Sequence, residues 1–113
     1  MIKAKVDSKR MICDVNDALR RTFVGGLVTV TAGIANLPAE RRRSVLAAVQ
    51  AFDAFTEDND VHGEHDFGVV EVDKVRSFWK IDYYDGEMEM MSPDPADPTV
   101  TRRVLTIMLA DEY

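Results

Sequence analysis

Residues 67–84 constrain the fold more than any other stretch. Phe67-Gly68-Val69-Val70-Glu71-Val72 and then Val75–Tyr84 are two runs rich in β-branched and aromatic residues, separated only by the polar pair Asp73-Lys74. Two such runs around a two-residue break predict a β-hairpin. Side chains in a strand alternate between faces, so Trp79, Ile81 and Tyr83 share one side and Phe78, Lys80, Asp82 and Tyr84 the other. The first side is expected to be core. The second mixes rings with charge, as either an exposed binding strip or a partly buried sheet edge would.

Other elements follow from similar patterns. Val15, Leu19 and Phe23 at i, i+4, i+8 predict a helix capped by Asp14 or Asn16 and ended by Gly25-Gly26. Residues 1–10, ahead of that cap, are expected to be a loosely ordered arm. Leu27-Val28-Thr29-Val30-Thr31 reads as a strand. Pro38 at a first helical position, followed by Val45, Val49, Phe52 and Phe55 on one side, predicts a second helix. Arg41, Arg42 and Arg43 lie near its amino end, where the helix dipole disfavours cations by about 0.3–1 kcal/mol each. They are therefore candidates for a basic contact, with a solvated face as the plainer explanation. Three prolines in residues 93–98 forbid regular structure in the loop 85–98. Val104-Leu105-Thr106-Ile107-Met108-Leu109 fits a buried strand or a short helix, and its β-branched content favours strand. Together these elements predict one α+β domain over residues 1–113. It would have a mainly antiparallel sheet of three to four strands with two helices packed on one face.

Charge is unevenly distributed along the 113 residues, whose formal net charge is −6. Residues 1–50 hold nine basic and four acidic side chains, a net +5, whereas residues 51–113 hold five and sixteen, a net −11. The second half would repel phosphates, so direct nucleic-acid binding through Arg41–43, Arg20, Arg21 and the lysine-rich arm is not expected. Pairing of the basic half of one copy with the acidic half of another would give a homo-oligomer. No apolar run approaches the roughly 20 residues of a membrane span, and none near the start suits a signal peptide. Cys13 is the single cysteine, which is expected to exclude an internal disulfide and a cysteine-based zinc site and suits a reducing cytoplasm.

Both histidines and five carboxylates fall in Glu57-Asp58-Asn59-Asp60-Val61-His62-Gly63-Glu64-His65-Asp66. Three chemistries compete for this segment. Asp58, Asp60, Gly63 and Asp66 occupy positions 1, 3, 6 and 9 of a calcium loop, but His62 and Val69 stand where oxygen ligands are needed. His62 and His65 with Asp66, Asp60 or Glu64 could hold zinc or iron, with Glu64 as base of a hydrolytic enzyme. Alternatively, the carboxylates and Asn59 fix a turn through side-chain-to-backbone hydrogen bonds, and no ligand or cofactor is needed. Elsewhere Ser8, Ser44, Ser77 and Ser92 lack a nucleophile-elbow context, Gly25-Gly26 lacks the Gly-Lys-Ser/Thr of a phosphate loop, and Cys13 reads as a small apolar residue.

Several blocks of this chain resemble one small bacterial family. They are Asn16-Asp17-Ala18-Leu19-Arg20-Arg21-Thr22-Phe23, Phe52-Asp53-Ala54-Phe55-Thr56, Asp58-Asn59-Asp60, His62-Gly63-Glu64-His65-Asp66-Phe67-Gly68, Phe78-Trp79-Lys80-Ile81-Asp82-Tyr83-Tyr84-Asp85, Asp94-Pro95-Ala96-Asp97-Pro98 and Arg103-Val104-Leu105-Thr106-Ile107-Met108-Leu109-Ala110. The family is filed as domain of unknown function 3768, and the likeness covers nearly everything from about residue 14. Met91-Ser92-Pro93 departs from it, since members tend to carry a Gly-Ser pair there and no proline. The resemblance implies an alphaproteobacterial setting and cargo of plasmids or other mobile elements, hence roles such as transfer, maintenance or counter-defence. It brings no activity, cofactor or catalytic residue.

The expected function is that of a small acidic interaction protein, an inhibitor whose carboxylates meet a basic, nucleic-acid-binding surface of a partner such as a defence or restriction complex. The contact groups would be Glu57, Asp58, Asp60, Glu64, Asp66, Asp82, Asp85, Glu87, Glu89, Asp94 and Asp97, with Met88, Met90, Met91, Phe78 and Tyr84 as apolar anchors. The alternative is a metal-dependent hydrolase using loop 58–66.

Overall fold

Asp73 and Lys74 both adopt left-handed backbone angles, with φ of 50° and 67°. That is the two-residue turn whose twist matches a hairpin, and it joins β2 (Phe67–Val72) to β3 (Val75–Tyr84). Pairing is antiparallel from Val72↔Val75 to Phe67↔Lys80. The computed structural model describes residues 2–113, with side chains from residue 8 onward. In chain order the elements are α1 (Ile2–Thr22), β1 (Leu27–Val30), a short α2 (Ala32–Ala35), α3 (Ala39–Ala51), β2, β3, β4 (Arg102–Leu109) and a closing 3-10 turn at Ala110–Glu112.

The fold is α+β, as the sequence implies, and residues 102–109 are a strand. The sheet has four strands in the order β1-β4-β3-β2. It is mixed, which corrects the expectation of a mainly antiparallel sheet: β4 runs antiparallel to β3 but β1 runs parallel to β4, from Leu27↔Val104 to Val30↔Ile107. A parallel pair needs a long crossover, and here α2, α3 and the hairpin supply it.

All helices cover one face. Leu19 from α1, Ile34 from α2, and Val45 and Val49 from α3 pack on Val70, Trp79, Ile81, Leu105 and Ile107 of the sheet. Trp79 lies opposite Ile107 and Ile81 opposite Leu105, so one strand face furnishes the core floor. Each large apolar side chain buried this way contributes about 1.5–3 kcal/mol. Gly68 is the cross-strand partner of Trp79, and a Cβ there would collide with the indole. On the other face Phe78 packs against Phe67 and Tyr113, and Lys80 pairs with Asp82 at 3.0 Å. The face that mixes rings with charge is thus half-buried and partly covered by the last residue of the chain.

The first helix differs most from expectation. It runs back to Ile2, through the stretch read as an arm, of which the first seven side chains lie outside those described. Asp14 and Asn16 are mid-helix rather than caps, and the helix ends before Phe23, which takes the left-handed conformation (φ 60°) ahead of the two glycines. For α3, Pro38 is the cap and Val45 and Val49 are fully buried. Phe52 and Phe55 lie past its end and meet Trp79 edge-on at 5.5 and 6.1 Å. Arg42 has a local reason to stand near the amino end of α3: its guanidinium donates to the carbonyls of Ala35 and Leu37, at 3.0 and 3.4 Å. Arg41 and Arg43 are exposed. The chain closes with Glu112 accepting from the Thr31 hydroxyl and from the backbone N–H groups of Gly33 and Leu109.

Candidate functional site

Cys13, Asn16, Asp17 and Arg20 follow one another at i, i+3, i+4 and i+7, so α1 turns four polar side chains to one side. That side faces the protein. Asn16 and Arg20 are fully buried, and Asp17 keeps only 16% of its side-chain exposure. Two linked networks result.

The first centres on Asn16. Its amide donates to the Glu64 carbonyl at 2.9 Å and to the Tyr83 hydroxyl at 2.8 Å, while its Oδ1 accepts from Arg103 Nε at 2.7 Å. Tyr83 in turn donates to Glu64 Oε1 at 2.8 Å. Arg103, 2% exposed, lies over the Tyr83 ring and also donates to the Pro95 carbonyl. Burial, together with the nearby Glu64 charge, pushes the Tyr83 hydroxyl well above its ordinary value and keeps it a donor. One asparagine thereby ties loop 57–66, strand β3 and, through Arg103, loop 85–98 to the same helix.

The second centres on Asp17. Arg20 Nη1 donates to its Oδ1 at 2.8 Å, and His65 Nδ1 faces its two oxygens at 2.9 and 3.1 Å. Burial works against the charge on Asp17, but these two partners outweigh it and hold the carboxyl below the usual carboxylate range. Arg20 also reaches the Phe52 carbonyl and lies 5.2 Å from the ring centroids of both Phe55 and Trp79, so its charge is shared between a carboxylate and two aromatic faces. The His65 ring stacks on Phe55 at 3.7 Å, and its Nε2 lies 3.5 Å from Asp60. Its backbone is left-handed, with φ of 55°. The Cys13 thiol donates weakly to Asp17 Oδ2 at 3.8 Å. Burial and the adjacent carboxylates push that thiol up to about 11, so it is no thiolate nucleophile at neutral pH.

The carboxylates singled out from sequence separate into two kinds. Asp60 accepts from the His65 backbone and faces its ring, Glu64 holds Tyr83, and Asp82 pairs with Lys80. Asp85 accepts from Glu89 N, Asp94 from Ala96 N, and Asp97 from both the backbone and hydroxyl of Thr99. Asp66 is half-buried, and burial with the Glu64 charge raises its carboxyl above the ordinary value. Glu57, Asp58, Glu87 and Glu89 are exposed, and among the described residues their side chains make no hydrogen bond or ion pair. Met88, Met90 and Met91 are exposed beside the last two.

The metal set His62, His65 and Asp66 does not converge. Among the described residues, Cys13, Asp17 and His65 are the one group of three such side chains whose ligand atoms all lie within 4.8 Å. His62 is exposed, and Asp60, a calcium-loop position, turns to His65 instead. Cys13, Asp17, Asn16, Arg20 and Arg103 were not singled out as one site by sequence reasoning. The available signal was the i, i+3, i+4, i+7 polar stripe around buried Leu19.

The family model for "Protein of unknown function (DUF3768)" matches residues 30–112. The chain belongs to the DUF3768 family. No curated protein and no solved structure matches it. The matched span holds β2, β3 and β4, α2, α3, both acidic loops, and Glu64, His65, Tyr83 and Arg103; all of β1 but Val30, and the α1 members of the two networks, precede it.

Proposed function

We propose that this DUF3768 protein is a small acidic, cytoplasmic interaction protein that docks the tips of its two acidic loops onto a basic surface of a protein partner. In a mobile-element setting it would act as a counter-defence inhibitor, covering the nucleic-acid-binding channel of a defence or restriction complex. One observation carries this reading: among the described residues, the side chains of Glu57, Asp58, Glu87 and Glu89 are exposed and make no hydrogen bond or ion pair, on two loops whose ends both attach to β3. On the same edge of β3, Ile81 N donates to the Asp66 carbonyl at 2.8 Å and Ser92 N donates to the Tyr83 carbonyl at 3.1 Å. The Asn16–Arg103 network grips both loops from behind.

Such bracing lowers the ordering cost of binding, and clustered negative charge steers a basic partner in a salt-dependent way. The capping aspartates add to that field, since hydrogen bonding from Thr99 holds Asp97 below the usual carboxylate range and so ionised. Met88, Met90 and Met91 offer adaptable apolar contact beside the charge. The opposite end of the sheet is closer to balance, with Arg41, Arg43, Lys74 and Arg76 set among Glu40, Glu71 and Asp73. No helix among the described residues is long and apolar enough to cross a membrane. The hydrolytic alternative on His62, His65 and Asp66 gains no support, because those side chains do not come together.

The test is affinity capture from the source cells at graded salt, run with the wild type and two charge-reversal variants. Glu57→Lys/Asp58→Lys with Glu87→Lys/Glu89→Lys is expected to abolish recovery of a basic partner that the wild type holds only at low salt. Glu71→Lys, at the far end of β2, is expected to retain it. Recovery indifferent to salt or to the quadruple reversal overturns the proposal.

A further inference from the structure

We propose that Cys13, Asp17 and His65 form a binding site for one divalent cation of the zinc class, which clamps helix α1 to loop 57–66. The donor set is one sulfur, one carboxylate and one imidazole. Zinc and cobalt accept that mixture, whereas calcium and magnesium require oxygen alone.

Three features of the geometry support a metal. Cys13 and Asp17 stand one helical turn apart on the same face of α1, and their ligand atoms lie within 4.8 Å of each other and of a His65 ring nitrogen. A tetrahedral ion with bonds of about 2.0–2.3 Å sets its ligands roughly 3.3–3.8 Å apart; Cys13 Sγ and Asp17 Oδ2 already stand at 3.8 Å and His65 Nδ1 and Asp17 Oδ2 at 3.1 Å. The imidazole is also oriented as metal-bound histidines are. Its Nε2 faces the Asp60 carboxylate at 3.5 Å, and stacking on Phe55 fixes the plane of the ring. Arg20 does the same for Asp17, holding Oδ1 at 2.8 Å and leaving Oδ2 toward the thiol. Finally, the side chains of His65 and Asp17 are 26% and 16% exposed, so an ion can enter from solvent. Binding displaces the thiol proton to solvent, and one thiolate with one carboxylate balances the two positive charges. Three protein ligands leave a fourth position for water or an incoming group, the pattern of an open site.

Cobalt(II) titration of the metal-free full chain tests this directly, because cobalt–thiolate coordination gives a charge-transfer band. The expected result is a band saturating at one cobalt per chain and erased by zinc. Cys13→Ser is expected to remove the band and His65→Ala to abolish tight binding, with both variants retaining the wild-type circular dichroism spectrum. Asp60→Asn is expected to keep the band and weaken affinity by roughly 10–100-fold. His62→Ala and the loop-tip charge reversals are expected to leave the titration unchanged. Absence of a thiolate–cobalt band in the wild type, its survival in His65→Ala, or its loss in His62→Ala overturns the site.

Discussion

Replacing Asn16 with leucine removes the group on which both acidic loops depend while nearly preserving side-chain volume. The loss is legible from the partners. Arg103 Nε loses its acceptor, the Glu64 carbonyl loses its donor, and Tyr83 loses one of two partners but keeps Glu64 Oε1. A buried group left unpaired costs about 1–3 kcal/mol, and more when it is charged. With Arg103 almost fully buried, the sum comes to roughly 3–5 kcal/mol. Natural domains have about 5–15 kcal/mol in all. For a chain of this size the change corresponds to a fall in Tm of roughly 15–20 °C. Urea unfolding followed through the single tryptophan, Trp79, measures it, and limited proteolysis should show cleavage within residues 57–66 and 92–97 before global unfolding. Asn16→Asp keeps an acceptor for Arg103 but loses both donors beside a carboxylate, so its effect should fall between leucine and wild type. A loss below ~1 kcal/mol for Asn16→Leu would refute the reasoning, because water would then be replacing the network.

Further predictions concern the sheet and the chain end. Gly68→Ala drives a methyl into the Trp79 indole and is expected to cost about 1–3 kcal/mol, read as a lower urea midpoint with altered Trp79 fluorescence; an unchanged midpoint would show that the strand gives way freely. Lys74→Gly relieves a left-handed lysine in the hairpin turn and is expected to raise stability by about 0.5–1 kcal/mol in the same assay. Hydrogen bonds from Thr31, Leu109 and Gly33 hold Glu112 below its ordinary value of 4.5. Its contribution is therefore present above that value and lost as pH falls through the lowered one. Glu112→Gln should accordingly be less stable than wild type at neutral pH and match it in acid, and a pH-independent difference would contradict this account.

Local patterns exposed those elements whose period is set by a buried face. The hairpin was readable because Trp79 and Ile81 alternate with Lys80 and Asp82, and α3 because Val45 and Val49 recur one turn apart. β4 could be read as a strand from its β-branched residues, but its parallel partner could not, since nothing within residues 27–30 reports direction. The start of α1 was hidden by Asp14 and Asn16, residue types that favour caps and that here sit mid-helix, with Asn16 stabilised by tertiary bonds absent from any local window. The charged hub was least legible. Arginine is rarely fully buried, so Arg20 and Arg103 read as surface, and only folding brings positions 16, 64, 83 and 103 together. Of the acidic loops, composition revealed the charge but not its use, because an aspartate capping a turn and one facing a partner look identical until their neighbours are known.

The parallel pairing of β1 with β4 has a consequence for biosynthesis. β4 lies between β1 and β3, and of these four strands it is the last to be synthesised. Until residues 102–109 emerge, β1 has no neighbour and the hairpin exposes its apolar flank, so the nascent chain can nucleate α3 and β2–β3 but cannot close. Stop codons or frameshifts anywhere upstream of β4 would therefore release sticky, protease-sensitive fragments rather than smaller working versions of the molecule.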